Sequence, residues 1–294
     1  DSFHGVLYSL KFNIPFLTMV EPITQAIKDK NRVAFIEVAR VEWLNMSSES
    51  LEAVAKEYHK FKKTGYTFLH LDHIPVIDEN GFNVDYMPFF ERAVASGFES
   101  AMIDGSRLSL KDNISATYKV AEYLHKNGLA CEAELGAVMG HESEPLDLSY
   151  DEIFERKIGF TKVEEAKQFA KESQCDWLSV AVGSIHGAVA ASMRDQKKPA
   201  GKLDINYLLE INDACNIPLV LHGGSGISKK YIHEAMKSGI AKMNIGTEIR
   251  QQYETAIAEG KTLVQAQEVV YDTCCDILKN SLEIENNYDI LIAD

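Results

Sequence analysis

Short apolar runs of strand length alternate along the chain with longer stretches in which apolar residues recur every three or four positions. Eight runs read as strands: "YSLKFNI" (8–14), "VAFIEVAR" (33–40), "TFLHLDH" (67–73), "FESAMIDG" (98–105), "LACEAELG" (129–136), "WLSVAVG" (177–183), "PLVLHGG" (218–224) and "AKMNIG" (241–246). Amphipathic helices lie between them. "SSESLEAVAKEYHKFKKTG" takes Ser47 or Ser48 as its N-cap and Gly65 as its stop, and "SKKYIHEAMKSG" opens at Ser228 and closes at Gly239. Parallel strands need crossover helices, so eight such units in about 250 residues predict a TIM (β/α)8 barrel. An open doubly wound sheet is the fallback, but no GxGxxG follows the first strand.

The pattern predicts one domain over residues 1–294, with two further helices in 248–283 and an acidic C-terminal tail. Two connections, 137–159 and 187–203, exceed what a barrel loop needs and are expected to serve as lids or binding loops. Apolar residues make up 46% and charged residues 25%, the balance of an ordinary soluble protein. A net charge of −14 weighs against nucleic acid, whose binders carry a basic footprint. No run is long enough to span a bilayer, and no signal-peptide pattern opens the chain. Cys131, Cys175, Cys215, Cys274 and Cys275 form no CxxC, and the adjacent pair falls on a helix where it bridges nothing; a reducing cytoplasm is the expected setting.

Candidate chemistry gathers at the strand ends. Asp72 and His73 close the third run, Asp104 the fourth and His222 the seventh; Glu132 and Glu134 lie on the fifth, His186 follows the sixth, and Asn244 is on the eighth. In a barrel these ends converge on one face. Such groups cost free energy to bury unless partnered, and the partner they suggest is a metal ion. His73, His186 and His222 can bind zinc through neutral imidazoles and leave a fourth position open. An open position serves a carbonyl or generates hydroxide, and the histidines alone do not choose. His4, His59, His125 and His233 read as structural, whereas His70 shares the face of Asp72 and reads as either an orienting group or packing. "HGGSGIS" (222–228) and "NIGTEIR" (244–250) each set backbone N–H groups before a helix, a pair of anion sites where barrel enzymes bind phosphate.

"LHLDH", "GFESAMIDGSRL", "EAELG", "HG" at 186–187, "LVLHGGSGI" and "KMNIGTE" follow one another over about residues 65 to 255. In these runs the sequence resembles the class II, zinc-dependent ketose-bisphosphate aldolases, which include fructose-bisphosphate and tagatose-bisphosphate aldolases. The resemblance implies that His73, His186 and His222 hold zinc or another divalent metal, and that Asp72 moves the proton of the C4 hydroxyl. It implies that Asp104 and Glu134 surround the site or form a second metal position, and that Glu142 is a mobile glutamate acting at the carbon that becomes the nucleophile. Gly187, Gly223, Gly224, Ser225, Asn244, Ile245, Gly246 and Thr247 match the dihydroxyacetone phosphate site, with a monovalent cation such as Na+ or K+ nearby. The implied reaction is reversible cleavage of a phosphorylated ketose to dihydroxyacetone phosphate and an aldehyde through a zinc-stabilised enediolate, without a Schiff-base lysine. A homodimer or homotetramer is implied as well.

The chain departs from the family in four places. It has "HGAVAASM" where members continue with tyrosine and often lysine. Ala39 and Arg40 stand where fructose-bisphosphate aldolases keep a substrate-contacting serine. His141 replaces an acid found in some members, and no arginine follows Arg250. A distal phosphate, where present, therefore falls to Arg40, Arg107 or Arg194. A non-catalytic aldolase-like companion subunit and a zinc hydrolase are the competing readings.

Overall fold

A computed structural model describes residues 9–136, 149–184, 201–224 and 226–281, together with residue 288. Eight parallel strands close in sequence order into a barrel: β1 (Ser9–Asn13), β2 (Ala34–Ala39), β3 (Thr67–Pro75), β4 (Ser100–Asp104), β5 (Ala130–Leu135), β6 (Trp177–Val180), β7 (Leu219–Leu221) and β8 (Ile240–Ile245). Closure is direct, with Leu10 of β1 in register with Met243 of β8. The helices are α1 (Val20–Asp29), α2 (Arg40–Asn45), α3 (Leu51–Phe61), α4 (Met87–Ala95), α5 (Leu110–Lys126), α6 (Tyr150–Glu155), α7 (Val163–Ser173), α8 (Ile205–Cys215), α9 (Lys229–Lys237), α10 (Thr247–Ala258) and α11 (Leu263–Asp276).

Strand residues divide by period two. Leu10, Phe12, Ile36, Val38, Leu69, Leu71, Ile103, Ala133, Leu178 and Leu221 join one buried cluster with Ile23, Val54, Phe90, Leu124, Phe169 and Leu208 of the helices. That shell between sheet and helices makes the runs legible as strands covered on both sides. The alternate positions that face the barrel axis include ionisable residues: Lys11, Glu37, His70, Glu132 and Lys242 are all buried.

Each expected strand is present, most of them trimmed by one to three residues, and the third runs on to Pro75. The cap of α3 is a correction. Ser50 has extended backbone and its Oγ accepts the Ala53 N–H, whereas Ser47 is held in a bridge to Phe16 with its N–H on the Pro15 carbonyl (3.0 Å). The helix stops at Phe61, short of Gly65, which serves the following turn with φ +82°. The stretch 137–159 is not loop throughout: Ser149 and Glu152 form a reciprocal capping box that opens α6. The remainder of both long connections, 137–148 and 185–200, lies outside the described residues. The two C-terminal helices are α10 and α11, which a π-helical turn (Ile277–Ser281) extends. Gln267 fixes α11 to the carbonyl of Thr18, before α1 (2.9 Å). All five cysteines are free.

Candidate active site

Strict alternation would send Asp72 and His73 to opposite faces of β3. The pairing with β4 steps from Leu71–Ala101 to Ile74–Ile103, so two residues of β3 stand against one of β4. This is a β-bulge, and it turns both side chains toward the barrel mouth. His73 carries φ +30°, a conformation that costs a non-glycine residue about 1–3 kcal/mol and that gathers at functional positions.

The bulge sets His73 Nε2 2.7 Å from His222 Nδ1, beyond the end of β7, with the two rings edge to face. Each ring has its other nitrogen against carboxylate. His73 Nδ1 faces Asp104 Oδ2 at 3.5 Å and Glu134 Oε2 at 3.6 Å, while His222 Nε2 meets Glu132 Oε1 at 3.0 Å. Asp104 is itself fixed, its Oδ1 accepting both the N–H and the hydroxyl of Ser106 (3.0 and 2.6 Å). Asp72 lies beside this pair, with Oδ1 3.3 Å from Lys11 Nζ and Oδ2 accepting from Asn244 Nδ2 at 3.2 Å.

A charged lattice fills the lumen underneath. Lys11 Nζ reaches Glu132 Oε1 (2.8 Å) and Glu37 Oε2 (3.3 Å), and Lys242 Nζ reaches Glu132 Oε2 (2.7 Å). Lys242 also stands 3.0 Å over the Trp177 ring, which packs with Phe35 below the polar layer. His70 turns Nδ1 to Ser100 Oγ (2.8 Å) and stays buried beneath Asp72.

Burial alone would neutralise these groups, so the surviving charges are those whose neighbours outweigh it. For Asp72, burial is overcome by Lys11, His73 and His222, which hold its carboxyl well below the usual range. Burial works against a charged His73, yet Asp72, Asp104 and Glu134 raise it to about 10. Burial, Lys11 and His73 together press His222 down to about 4. Burial and the Asp104 charge lift Glu134 to about 8. The imidazole pair thus carries one net positive charge, on His73.

Around these groups opens a pocket of about 430 Å³. The structure brings Asp72, His73, Asp104, Glu134, His222, Gly223, Gly224, Asn244, Gly246 and Thr247 to its wall. Gly223 needs φ +70°, and a Cβ on Gly246 would lie 2.9 Å from Asn13 Oδ1, so both turns depend on glycine. Thr247 opens α10 at the same wall, and the first amides of a helix have no partner within it. The side chain of Ile245 packs into the apolar cluster instead, leaving only its backbone for a ligand. His186, Gly187, Ser225, Glu142, His141 and Arg194 lie outside the described residues. Arg107 lines the pocket; Arg40 turns to Glu79 at 3.9 Å.

Several residues went unmarked in the sequence. Arg250, one turn after Thr247 on α10, lines the pocket and pairs with Glu254. Glu42, on α2, accepts the Ala39 N–H (2.8 Å) and lines the pocket with a carboxyl that burial raises to about 8. Lys11, Glu37 and Lys242 carried a signal that was available: opposite charges inside strand-like runs must pair when the barrel closes.

A closed parallel barrel whose strand ends gather histidines and carboxylates around a pocket has the architecture of a barrel enzyme. The profile of the family described as "Fructose-bisphosphate aldolase class-II" matches residues 8–286, and the chain belongs to this family. It is therefore a carbon–carbon lyase, an aldolase. Among solved structures, the YdjI aldolase from Escherichia coli K12 is 25% identical, with a TM-score of 0.71 over 94% of this chain and 92% of that one. Fructose-bisphosphate aldolase from Campylobacter jejuni shares the fold at 18% identity, with a TM-score of 0.68 over 95% of this chain and 91% of that one. No described helix is long and apolar enough to cross a membrane.

Class II aldolases depend on a divalent metal, typically zinc, and the residues present fit one. Ligand atoms of Asp72, His73 and His222 lie within 4.8 Å of one another, as do those of His73, Asp104 and Glu134. The two imidazole nitrogens that meet here are the donors zinc takes, and carboxylates behind both rings are the support that metal-binding histidines use. Glu134 Oε2 is buried without a hydrogen-bond partner among the described residues, an acceptor left over at that spot.

Proposed function

We propose that the pocket reversibly cleaves a phosphorylated ketose to dihydroxyacetone phosphate and an aldehyde, with zinc held by His73 and His222. On the family resemblance, His186 completes the set. When bound, the metal acts as a Lewis acid that draws off the negative charge developing at the substrate ketone.

The chain's own groups do the rest. Asp72 removes the C4-hydroxyl proton in cleavage and returns it in synthesis. Its ionised carboxyl is gripped at both oxygens, so it meets the substrate in one orientation. Asn244 keeps the distance between Asp72 and the phosphate end fixed. Backbone amides at Gly223, Gly224, Gly246 and Thr247 take the phosphate at the opening of α10. Glu142 moves the proton at the carbon that becomes the nucleophile, and Arg107 and Arg250 supply positive charge for a second phosphate. Removing the pocket's water strengthens each of these polar contacts.

The observation that carries the reading is the meeting of two imidazole nitrogens at 2.7 Å, each ring backed by carboxylate, beside Asp72. A panel of ketose phosphates, with triose phosphate release coupled to a dehydrogenase, tests it. Turnover is expected to vanish with a chelator and return with zinc, and Asp72→Asn is expected to lose roughly 10²–10⁴ in kcat while keeping its metal. Release of no triose phosphate from any member, or turnover indifferent to chelation, contradicts the proposal.

A further inference from the structure

We infer that Lys11 is a positioning residue that ties the proton-transfer carboxylate of Asp72 and the carboxylate behind His222 into one rigid unit. The inference rests on the role of Asp72 given above. Lys11 stands on β1 with its side chain wholly buried, and its Nζ touches three strands: Asp72 Oδ1 on β3 at 3.3 Å, Glu132 Oε1 on β5 at 2.8 Å and Glu37 Oε2 on β2 at 3.3 Å. Of the three N–H donors of the ammonium, two have hydrogen-bond acceptors here in Asp72 and Glu132, and Glu37 is held by an ion contact alone. The same Glu132 oxygen also takes His222 Nε2 at 3.0 Å, so one cation links the base to the imidazole. Nζ lies beneath Asp72 with no exposed surface, out of reach of a substrate carbonyl; its work is done through its neighbours.

The two dependent carboxylates differ in what remains without Lys11. Glu132 keeps Lys242 at 2.7 Å and His222. Asp72 keeps the amide of Asn244 as its hydrogen bond among the described residues, on the other oxygen. Loss of Lys11 therefore frees Asp72 to swing while the imidazole support stays. Glu37 offers a way to test this without leaving a further buried carboxyl facing the place of the lost ammonium. Neither of its oxygens has a hydrogen-bond partner among the described residues beyond the ion contact with Lys11, so the pair can be removed together. Replacing a buried ion pair by apolar groups of similar volume is often neutral for stability.

The test compares the double variant Lys11→Met, Glu37→Leu with Asp72→Asn. The double variant is expected to fold, to keep zinc affinity by chelator competition within about 3-fold, and to lose about 10²-fold in kcat with KM little changed, the scale of a reacting group misplaced by an ångström. If that variant does not fold, Lys11→Gln with Glu37→Gln carries the same expectation. A folded double variant with kcat within about 3-fold of the parent, beside an inactive Asp72→Asn, overturns the role of Lys11 alone. So does a loss of kcat that the loss of zinc fully accounts for. An active Asp72→Asn overturns the assignment of the base on which the inference stands.

Discussion

The same eight strands build two regions with opposite rules. Their outward residues, such as Leu69, Leu71 and Leu178, enter an apolar shell against the helices; their inward residues, Lys11, Glu37, His70, Glu132 and Lys242, fill the lumen with polar, ionisable groups. In the shell the requirement is volume, and neighbours are interchangeable so long as space is filled. In the lumen the requirement is pairing, since a buried charge persists only opposite its partner. Barrel interiors are usually packed with branched apolar side chains. Here part of that packing gives way to ionic contacts that rise from the Phe35–Trp177 level to the imidazoles at the mouth. The fold resides in the shell, and the function proposed above places the chemistry at the mouth of the lumen.

The comparison breaks if damage to one region spreads to the other. The largest expected effect is in the lumen: His222→Ala removes an imidazole donor and is expected to lower kcat/KM by roughly 10³-fold or more, with metal content falling and the far-ultraviolet circular dichroism unchanged. Next is the shell. Leu124→Ala, fully buried on α5, is expected to cost about 3 kcal/mol in denaturant unfolding and leave KM and metal stoichiometry as they were. Loss of metal in that variant, or loss of fold in the first, would show that the two regions do not separate.

The smallest effect sharpens the electrostatic side. In the metal-free protein His73 stays charged up to about 10 while His222 stays neutral down to about 4. Zinc takes neutral imidazoles, so its binding must expel the His73 proton through the neutral range. A bound proton competes with the metal; affinity is therefore expected to rise with pH, about tenfold per unit, or about 1.4 kcal/mol. Chelator competition at stepped pH measures the slope, and a flat line would contradict the shared-proton arrangement.

The shell was the readable part. Strands covered on both sides leave apolar runs whatever their neighbours are, so eight strands and their closure followed from periodicity. Polar residues stand out in such runs, which is why Asp72, His73, Asp104, Glu134 and His222 were visible as a group. The bulge was not readable. It leaves no mark in composition, and period two on its own admits only one of Asp72 and His73 to the pocket. Nor was the pairing of Lys11 and Lys242 with Glu132, because those partners meet only across a closed barrel and their register comes from the whole ring of strands. Arg250 was hidden because its place depends on the helical face it shares with Thr247, not on its neighbours in sequence. Ser50 displaced Ser47 as the α3 cap because a tertiary bridge to Phe16 had already claimed Ser47.

The central claim is that the mouth of the barrel holds a divalent metal between two carboxylate-backed imidazoles. Diffraction from zinc-soaked crystals above and below the zinc absorption edge tests it most directly. The account predicts one strong anomalous peak per chain between His73 Nε2 and His222 Nδ1, absent in the His222→Ala protein. A peak elsewhere, or no peak while the two rings keep their 2.7 Å contact, would contradict it.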